Sequence, residues 1–272
     1  MKGIIALDVD KTLLNDDKLV SPKTIEALKK AYDLGYLTLI CSGRDTMGLT
    51  FMAKQWGIDQ YIRAYAGYNG GEAYDCLDQK LIVHQALDKS IVESIVKYLD
   101  AHPYVATYYA RDYVGTSKNN PYRDYLCSVM DRGYKEYDDI SVEFPDDCCK
   151  MVFFDDKENL EVIKEIILNN QDRDDFYLVY SADHILEVMP KGVDKSLGIR
   201  YFMDKYQIPL EKTMAVGDND NDLEMLEFAF HSYAMGNSRD NIKNVCKYVT
   251  NDNNHDGAGE AIFDYLKKQP IV

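Results

Sequence analysis

The segment IIALDVDKTLLN, residues 4–15, places two acidic residues directly after an apolar run. Residues 4–7 have the pattern of a buried strand, and Asp8 and Asp10 then interrupt it. Side chains at positions i and i+2 of an extended segment point to the same side. The pattern therefore predicts a buried strand whose carboxyl end presents two carboxylates to one pocket.

Alternating strand and helix patterns flank this segment at both ends of the chain. A helix that ends at Gly35 follows the first strand, and a second apolar strand then ends at Ser42. A helix over 46–56 and a short strand over 61–65 follow, the alternation is lost near residue 70, and it returns beyond Pro190 with a helix over 194–206. Such alternation indicates βαβ units in a parallel sheet with helices on both faces.

The middle of the chain mixes predicted hairpins with helices, among them a helix over 88–101 and another over 120–131. The predicted fold class is therefore α/β, with a Rossmann-like, doubly wound parallel-sheet core and an inserted α+β cap domain. We assign residues 1–83 and 189–272 to the core and residues 84–188 to the inserted domain.

Composition narrows the classes of function. The 272 residues include 31 basic and 46 acidic residues, for a net charge of −15, which argues against binding to nucleic acid or to an anionic membrane. The first apolar run is too short for a signal peptide or a membrane span. The six cysteines form no C-x-x-C pair and the five histidines show no zinc-ligand spacing. We expect a soluble cytoplasmic protein with reduced thiols.

Four groups of polar residues follow the predicted core strands or the point where the chain re-enters the core. They are Asp8 and Asp10; Ser42, Gly43 and Arg44; Lys191 and Lys195; and Asp218, Asn221 and Asp222. Ligands of open parallel sheets bind beyond the carboxyl ends of the strands, so these groups are expected to converge. Clustered carboxylates need a cation, and an all-oxygen ligand set favours Mg²⁺. A lysine and a hydroxyl beside such a metal indicate a phosphoryl site.

Each group also has an ordinary structural interpretation. Asp8 and Asp10 could be a solvated pair, and the Ser42-Gly43 turn could simply end a strand. Lys195 could lie on the surface, and the segment GDNDND could be a helix cap. The occurrence of all four groups, each at a predicted strand exit or at the re-entry, favours the functional interpretation.

The four segments DVDKTLL, CSGR, KGVDKSLGI and GDNDND, in this order, resemble the motifs of the haloacid dehalogenase (HAD) superfamily. The resemblance covers the whole chain and is closest to the Cof-like hydrolases, which carry a large α/β cap. It implies that Asp8 is a nucleophile that forms an aspartyl-phosphate and that Asp10 is the general acid and base. It also implies that Ser42, Gly43 and Lys195 hold the phosphoryl group.

The resemblance further implies a Mg²⁺ cofactor. Its ligands would be the Asp8 carboxylate, the Asp10 main-chain carbonyl and Asp218, and Asn221 and Asp222 would complete or orient that shell. Asp10 must carry a proton to act as an acid, so we expect nearby negative charge and partial burial to favour its protonated form.

Lys11 stands where many HAD relatives have glycine after the second acid. We expect the lysine to keep an ordinary backbone conformation and a solvated side chain; a contact between its ammonium group and the substrate is the alternative.

The inserted domain is expected to select the substrate, because an inserted cap can exclude water and contact the leaving group. Candidate contacts are Tyr108 and Arg111 in this domain and Arg44 in the core, although tyrosines in strands commonly pack against helices instead. The resemblance implies small phosphorylated metabolites as substrates, such as sugar phosphates, pyridoxal phosphate or flavin mononucleotide. A phosphomutase and a non-catalytic phosphometabolite-binding regulator remain alternatives, and the sequence does not fix the oligomeric state.

Overall fold

The computed structural model describes residues 1–130, 132–171 and 173–269. The chain divides into two compact units: Met1–Ile82 with Asp194–Val272, and Val83–Val193. The expected end of the inserted domain at residue 188 falls inside a strand of the second unit, so the observed boundary comes later. Residues 270–272 of the predicted core lie outside the described residues.

The strands and helices alternate at both ends of the chain. The strands are β1 Ile4–Leu7, β2 Leu37–Cys41, β3 Ala64–Gly67, β4 Glu72–Asp75, β5 Lys80–Val83, β6 Ala106–Tyr109, β7 Tyr113–Ser117, β8 Gly133–Tyr137, β9 Met151–Phe154, β10 Phe176–Ala182, β11 Ile185–Pro190, β12 Thr213–Gly217, β13 His231–Ala234 and β14 Tyr248–Val249. The helices are α1 Pro22–Asp33, α2 Thr46–Gln55, α3 Lys89–Tyr98, α4 Arg123–Met130, α5 Lys157–Asn170, α6 Ser196–Tyr206, α7 Leu223–Phe228, α8 Asp240–Val245 and α9 Gly257–Lys268.

The first unit is built on a sheet with the strand order β14-β13-β12-β1-β2-β3-β4-β5. The pairs from β14 to β3 are parallel, and β4 runs antiparallel to β3. This sheet confirms the predicted Rossmann-like α/β core. It also places the carboxyl ends of β1, β2 and β12 at one edge.

Helices cover both faces of this sheet, and β1 shows how the sequence directs them. Ile5 and Leu7 are fully buried in a cluster that includes residues of α1 and α9. Ile4 and Ala6 point to the opposite face, where they pack in a cluster that includes residues of α6 and α7. A strand that is buried on both faces has to be apolar throughout, which explains the unbroken apolar run at residues 4–7.

The second unit contains a sheet with the order β10-β11-β9-β6-β7-β8, antiparallel except for the parallel pair β7 and β8. Helices α3 and α5 bury Ile91, Ile95, Leu160 and Ile163 in the main apolar cluster of this unit. Strand β11 pairs with both β10 and β9, and for this reason it belongs to the second unit. The strand β8 was not predicted, and residue 131, at the end of the predicted helix 120–131, lies outside the described residues.

Among the helices of residues 1–130, 132–171 and 173–269, none combines the length and the apolar character needed to span a membrane.

Candidate active site

The register of the parallel sheet brings the predicted site residues to one edge. Leu7 of β1 is aligned with Val216 of β12 on one side and with Ile40 of β2 on the other. The pairing continues one residue further, because the Asp8 N–H donates to the Val216 carbonyl oxygen at 3.0 Å. Asp8, Asp218 and Ser42 therefore leave neighbouring strands at almost the same level.

Three carboxylates converge at this edge. Asp8, Asp218 and Asp222 each place one oxygen within 4.8 Å of the others. Lys195, which precedes α6, is only 1% exposed. Its Nζ donates to Asp8 Oδ1 at 2.7 Å and to Asp222 Oδ1 at 2.6 Å. The lysine is therefore a buried cation shared by two acids from the two ends of the chain.

The charges in this group shift one another's pKa. Burial, together with the Asp222 charge, raises the pKa of Asp8 to about 7, even though Lys195 opposes the shift. Burial and Asp222 likewise raise the pKa of Asp218 to about 6. Burial by itself would lower the pKa of Lys195, but the two carboxylates outweigh it and raise that pKa.

The same charges make the group suitable for a metal ion. Three acids share one cation, so negative charge is left over, and a hard divalent cation would balance it and favour the ionised form of Asp8. The donor set of carboxylate oxygens fits an ion of the Mg²⁺ class.

Asp222 is held differently from the other two acids. It is fully buried, and its Oδ2 accepts the backbone N–H groups of Asp218 at 2.9 Å and Asn219 at 3.0 Å. Gly217 allows this approach, because a Cβ at that position would lie 2.7 Å from the Asp222 carboxylate. With Oδ1 bonded to Lys195, Asp222 has little capacity left for a metal and instead orients the lysine. Asn221 lies on the turn just before Asp222 and is exposed.

The Ser42-Gly43-Arg44 loop is held at its first residue by two backbone hydrogen bonds. The Ser42 N–H donates to the Ala66 carbonyl at 2.9 Å, and the Ser42 carbonyl accepts the Asn69 N–H at 2.9 Å. Ser42 is 3% exposed, and its Oγ accepts the Arg44 N–H at 3.3 Å. The hydroxyl and the loop backbone are thus held at the sheet edge that carries Asp8.

Asp10 has a different charge environment from the predicted one. Its carboxylate accepts two hydrogen bonds from Arg44 Nη2, at 2.8 and 3.1 Å, and one from Lys18 Nζ at 3.3 Å. Burial would raise the pKa of Asp10, but these cations outweigh it and lower that pKa. The expectation that its surroundings favour the protonated form of Asp10 was therefore wrong, because Arg44 and Lys18 both reach its carboxylate.

Two features of the loop after β1 were not predicted. Thr12 is buried, and its hydroxyl donates to Asp218 Oδ1 at 3.1 Å, which orients that acid. The position of Thr12, a small hydroxyl residue just after Asp8 and Asp10, was the sequence feature that could have predicted this contact. Lys11 has φ 61°, in the left-handed region, so the expectation of an ordinary backbone conformation was wrong. The Asn237 side chain holds this turn by donating to the Lys11 carbonyl at 3.0 Å.

Three residues that the sequence analysis named as candidates for the site lie in the second unit, and each contacts other residues of that unit. Tyr108 is fully buried and donates to the Glu143 carbonyl at 2.9 Å, so its interpretation as a substrate contact was wrong. Arg111 lies exposed between β6 and β7, 3.4 Å from Asp147. Lys191 is exposed and pairs with Asp174 within the same unit.

Comparison with known proteins identifies the family. The family model described as haloacid dehalogenase-like hydrolase matches residues 5–262. The chain belongs to this family. It is 28% identical, over 97% of each chain, to a 5-amino-6-(5-phospho-D-ribitylamino)uracil phosphatase of Bacillus subtilis. It is 26% identical to another phosphatase of that organism, over 97% of this chain and 99% of the relative.

A solved structure supports the same assignment. The crystal structure of a haloacid dehalogenase-like hydrolase from Bacteroides thetaiotaomicron superposes with a TM-score of 0.85 at 25% identity, covering 97% of this chain and all of that one. The resemblance to the Cof-like hydrolases of the HAD superfamily is thus confirmed, and the chain is a phosphoric monoester hydrolase of the HAD type.

Proposed function

We propose that this protein is a Mg²⁺-dependent phosphatase that hydrolyses small phosphomonoesters through an aspartyl-phosphate on Asp8. The observation that carries the proposal is the convergence of Asp8 and Asp218, which come from the two ends of the chain, in one three-acid group. Lys195 Nζ lies 2.7 Å from Asp8 Oδ1, so a cation already stands beside the attacking carboxylate.

The reaction then has two displacements. An Asp8 carboxylate oxygen attacks the phosphorus atom, the bond from phosphorus to the leaving oxygen breaks, and Asp10 gives that oxygen a proton. Water next attacks the phosphorus of the aspartyl-phosphate, Asp10 accepts the proton from the water, and Asp8 is released with inorganic phosphate. Ser42, Gly43 and Lys195 hold the equatorial phosphoryl oxygens, where the transition-state charge resides.

Arg44 adds a requirement to the first displacement. As long as Arg44 bonds to Asp10, the acid is held in its ionised form, which suits the second displacement but not the first. We therefore propose that the bound substrate draws the Arg44 guanidinium toward its own phosphoryl or leaving-group oxygens. Asp10 then loses a cationic partner and can carry a proton.

The acids are suited to hold the metal ion. Asp8 and Asp218 would bind Mg²⁺ through carboxylate oxygens, together with the Asp10 main-chain carbonyl; Asn221 would complete the shell, and Asp222 would orient Lys195 beside it. The ion would supply a positive charge that offsets the negative charge of the phosphoryl group.

We further propose that the second unit is the cap that selects the substrate, with Arg111 as an exposed candidate contact. The relative from Bacillus subtilis is named for a phosphorylated ribityl compound, which supports testing that class of substrate together with sugar phosphates, pyridoxal phosphate and flavin mononucleotide. We place the reaction in the cytoplasm.

The test is hydrolysis of p-nitrophenyl phosphate and of this panel, with Mg²⁺ and with a chelator. We expect turnover only with the metal, and no turnover in Asp8→Asn, whose fold is checked by circular dichroism. Asp17→Asn is the matched control, because Asp17 is an exposed acid of the same loop region. Asp17→Asn should retain wild-type rates.

Three outcomes would contradict parts of the proposal. Turnover in Asp8→Asn would exclude the covalent route through Asp8. Full activity in the chelator would exclude the metal requirement. Turnover that appears only with a bisphosphate primer would indicate a phosphomutase instead.

A further inference from the structure

The turn that follows β3 is bonded to the loop expected to bind the phosphoryl group. The Asn69 N–H donates to the Ser42 carbonyl at 2.9 Å, and the Tyr68 N–H donates to the Arg44 carbonyl at 2.9 Å. These two hydrogen bonds fix the turn against both ends of the Ser42-Gly43-Arg44 loop. A side chain on this turn is therefore held at the site itself.

The same turn also packs against the segment that carries Lys195. Gly70 has φ 95°, and a Cβ at this position would overlap the carbonyl oxygen of Asp194, the residue before Lys195. The turn thus lies between the two elements to which the proposed function assigns the phosphoryl group.

Asn69 is a non-glycine residue in a left-handed backbone conformation, with φ 53° and ψ 34°. Glycine would adopt this conformation without strain, whereas asparagine does so at some cost. Residues in this backbone conformation are concentrated at ligand sites, where their side chains contact the ligand. The side chain of Asn69 is accordingly the feature to explain.

The Asn69 amide lies beside Gly43. The atoms nearest to a Cβ built at Gly43 are Asn69 Oδ1 at 3.4 Å and Nδ2 at 3.6 Å. Asn69 Oδ1 is buried and has no hydrogen-bond partner among the described residues. Buried polar atoms are rarely left in this state, so a ligand is the natural source of the missing partner.

We propose that Asn69 is a further substrate-binding residue, whose amide Nδ2 donates a hydrogen bond to an oxygen of the phosphoryl group held by Ser42, Gly43 and Lys195. Rotation of the amide exchanges its donor and acceptor positions, so the present side chain can supply either group. The inference rests on the proposed phosphatase function and adds a donor to the same site.

The test uses two substitutions that keep the backbone. Asn69→Gly and Asn69→Asp both tolerate the left-handed conformation, but glycine removes the amide, and aspartate replaces the donor with a negative charge. With saturating Mg²⁺, we expect Asn69→Gly to lower kcat/KM for p-nitrophenyl phosphate by about 10- to 100-fold, the value of one hydrogen bond to a charged group. The kcat/KM of Asn69→Asp should be lower still, and inorganic phosphate should inhibit both variants less strongly than it inhibits the wild type.

Asn119 offers a matched control in the second unit. It is an exposed asparagine with φ 60°, so Asn119→Gly and Asn119→Asp repeat the chemistry away from the Ser42-Gly43-Arg44 loop. Both control variants should keep wild-type kcat/KM and wild-type inhibition by phosphate.

If Asn69→Gly and Asn69→Asp both fold and match the wild type within about twofold in kcat/KM and in phosphate inhibition, Asn69 only shapes the turn and the inference is overturned. If the wild type itself hydrolyses no phosphomonoester, the proposed function fails. In that case, calorimetric titration of the protein with inorganic phosphate, in the presence of Mg²⁺, still tests whether Asn69 contributes to phosphate binding. Equal affinity in the wild type and Asn69→Asp would overturn its role.

Discussion

Replacing Asp222 by asparagine tests whether this acid holds Lys195 rather than the metal. The amide oxygen of asparagine can still accept the hydrogen bonds that the N–H groups of Asp218 and Asn219 donate to Asp222 Oδ2, at 2.9 and 3.0 Å. The amide nitrogen then faces Lys195 Nζ, where the wild type has a hydrogen bond of 2.6 Å. Two donors oppose each other, so the lysine is left with Asp8 as its one charged partner among these groups.

The size of the effect follows from these contacts. Removing one partner of a buried ion pair costs about 3–5 kcal/mol. Lys195 keeps Asp8, and the repulsion between Asp8 and Asp222 disappears, so we expect a loss of about 3 kcal/mol in the free energy of unfolding. A lysine drawn toward Asp8 also holds the phosphoryl group less well, and a comparable loss in the transition state lowers kcat/KM about a hundredfold.

The assays are urea unfolding of the metal-free protein and kinetics over a range of Mg²⁺ concentrations. Asp220→Asn is the matched control, because Asp220 lies on the same turn but is exposed, with a 3.5 Å surface contact to Arg239. Its substitution should change stability by less than about 1 kcal/mol. The Mg²⁺ concentration for half-maximal rate should stay near the wild-type value in Asp222→Asn. A large increase in that concentration, with unchanged stability, would show instead that Asp222 is a metal ligand.

Three further predictions concern the metal, the second unit and the first loop. Mg²⁺ at a hundred times its dissociation constant should stabilise the protein by about 2.7 kcal/mol in thermal unfolding. If the Mg²⁺ concentration that gives this stabilisation at pH 8 is kept unchanged, the stabilisation should be smaller at pH 6, because protons compete for carboxylates whose pKa is raised and so weaken Mg²⁺ binding, and it should vanish in Asp218→Asn. Tyr108→Phe leaves the Glu143 carbonyl unpaired and should cost about 1–2 kcal/mol of stability without changing relative kcat/KM across the substrate panel; a changed preference would restore Tyr108 as a contact. Lys11→Gly relieves a left-handed conformation and should raise the urea midpoint, whereas Lys11→Ala should not; equal midpoints would show that this turn is unstrained.

The sequence predicted those features that depend on periodicity and on strand ends. The apolar run at residues 4–7 predicted a strand buried on both faces, and β1 is such a strand in the middle of the parallel part of the sheet. Because parallel strands end at one edge, the spacing of Asp8, Ser42 and Asp218 along the chain was sufficient to predict that they come close together.

Other features could not be predicted, for identifiable physical reasons. Strand β8 is mostly exposed on both faces, so it carries no alternating pattern of burial. The pairing of Arg44 with Asp10 depends on which way a long side chain turns, and sequence spacing does not encode this. Tyr108 is packed in an aromatic cluster with Phe144 and other rings, and an amphipathic residue in a strand suits a core as well as a ligand site.

The proposed mechanism requires that Asp8 becomes phosphorylated during turnover. The most direct measurement is rapid acid quenching of the enzyme with a phosphomonoester and Mg²⁺, followed by borohydride reduction and mass spectrometry of the peptide that contains residue 8. We expect the acyl phosphate to be reduced to homoserine at position 8 in the wild type, and no homoserine to form in Asp8→Asn. A quenched, actively turning-over enzyme that carries the phosphoryl group on another residue, or on none, would contradict the mechanism.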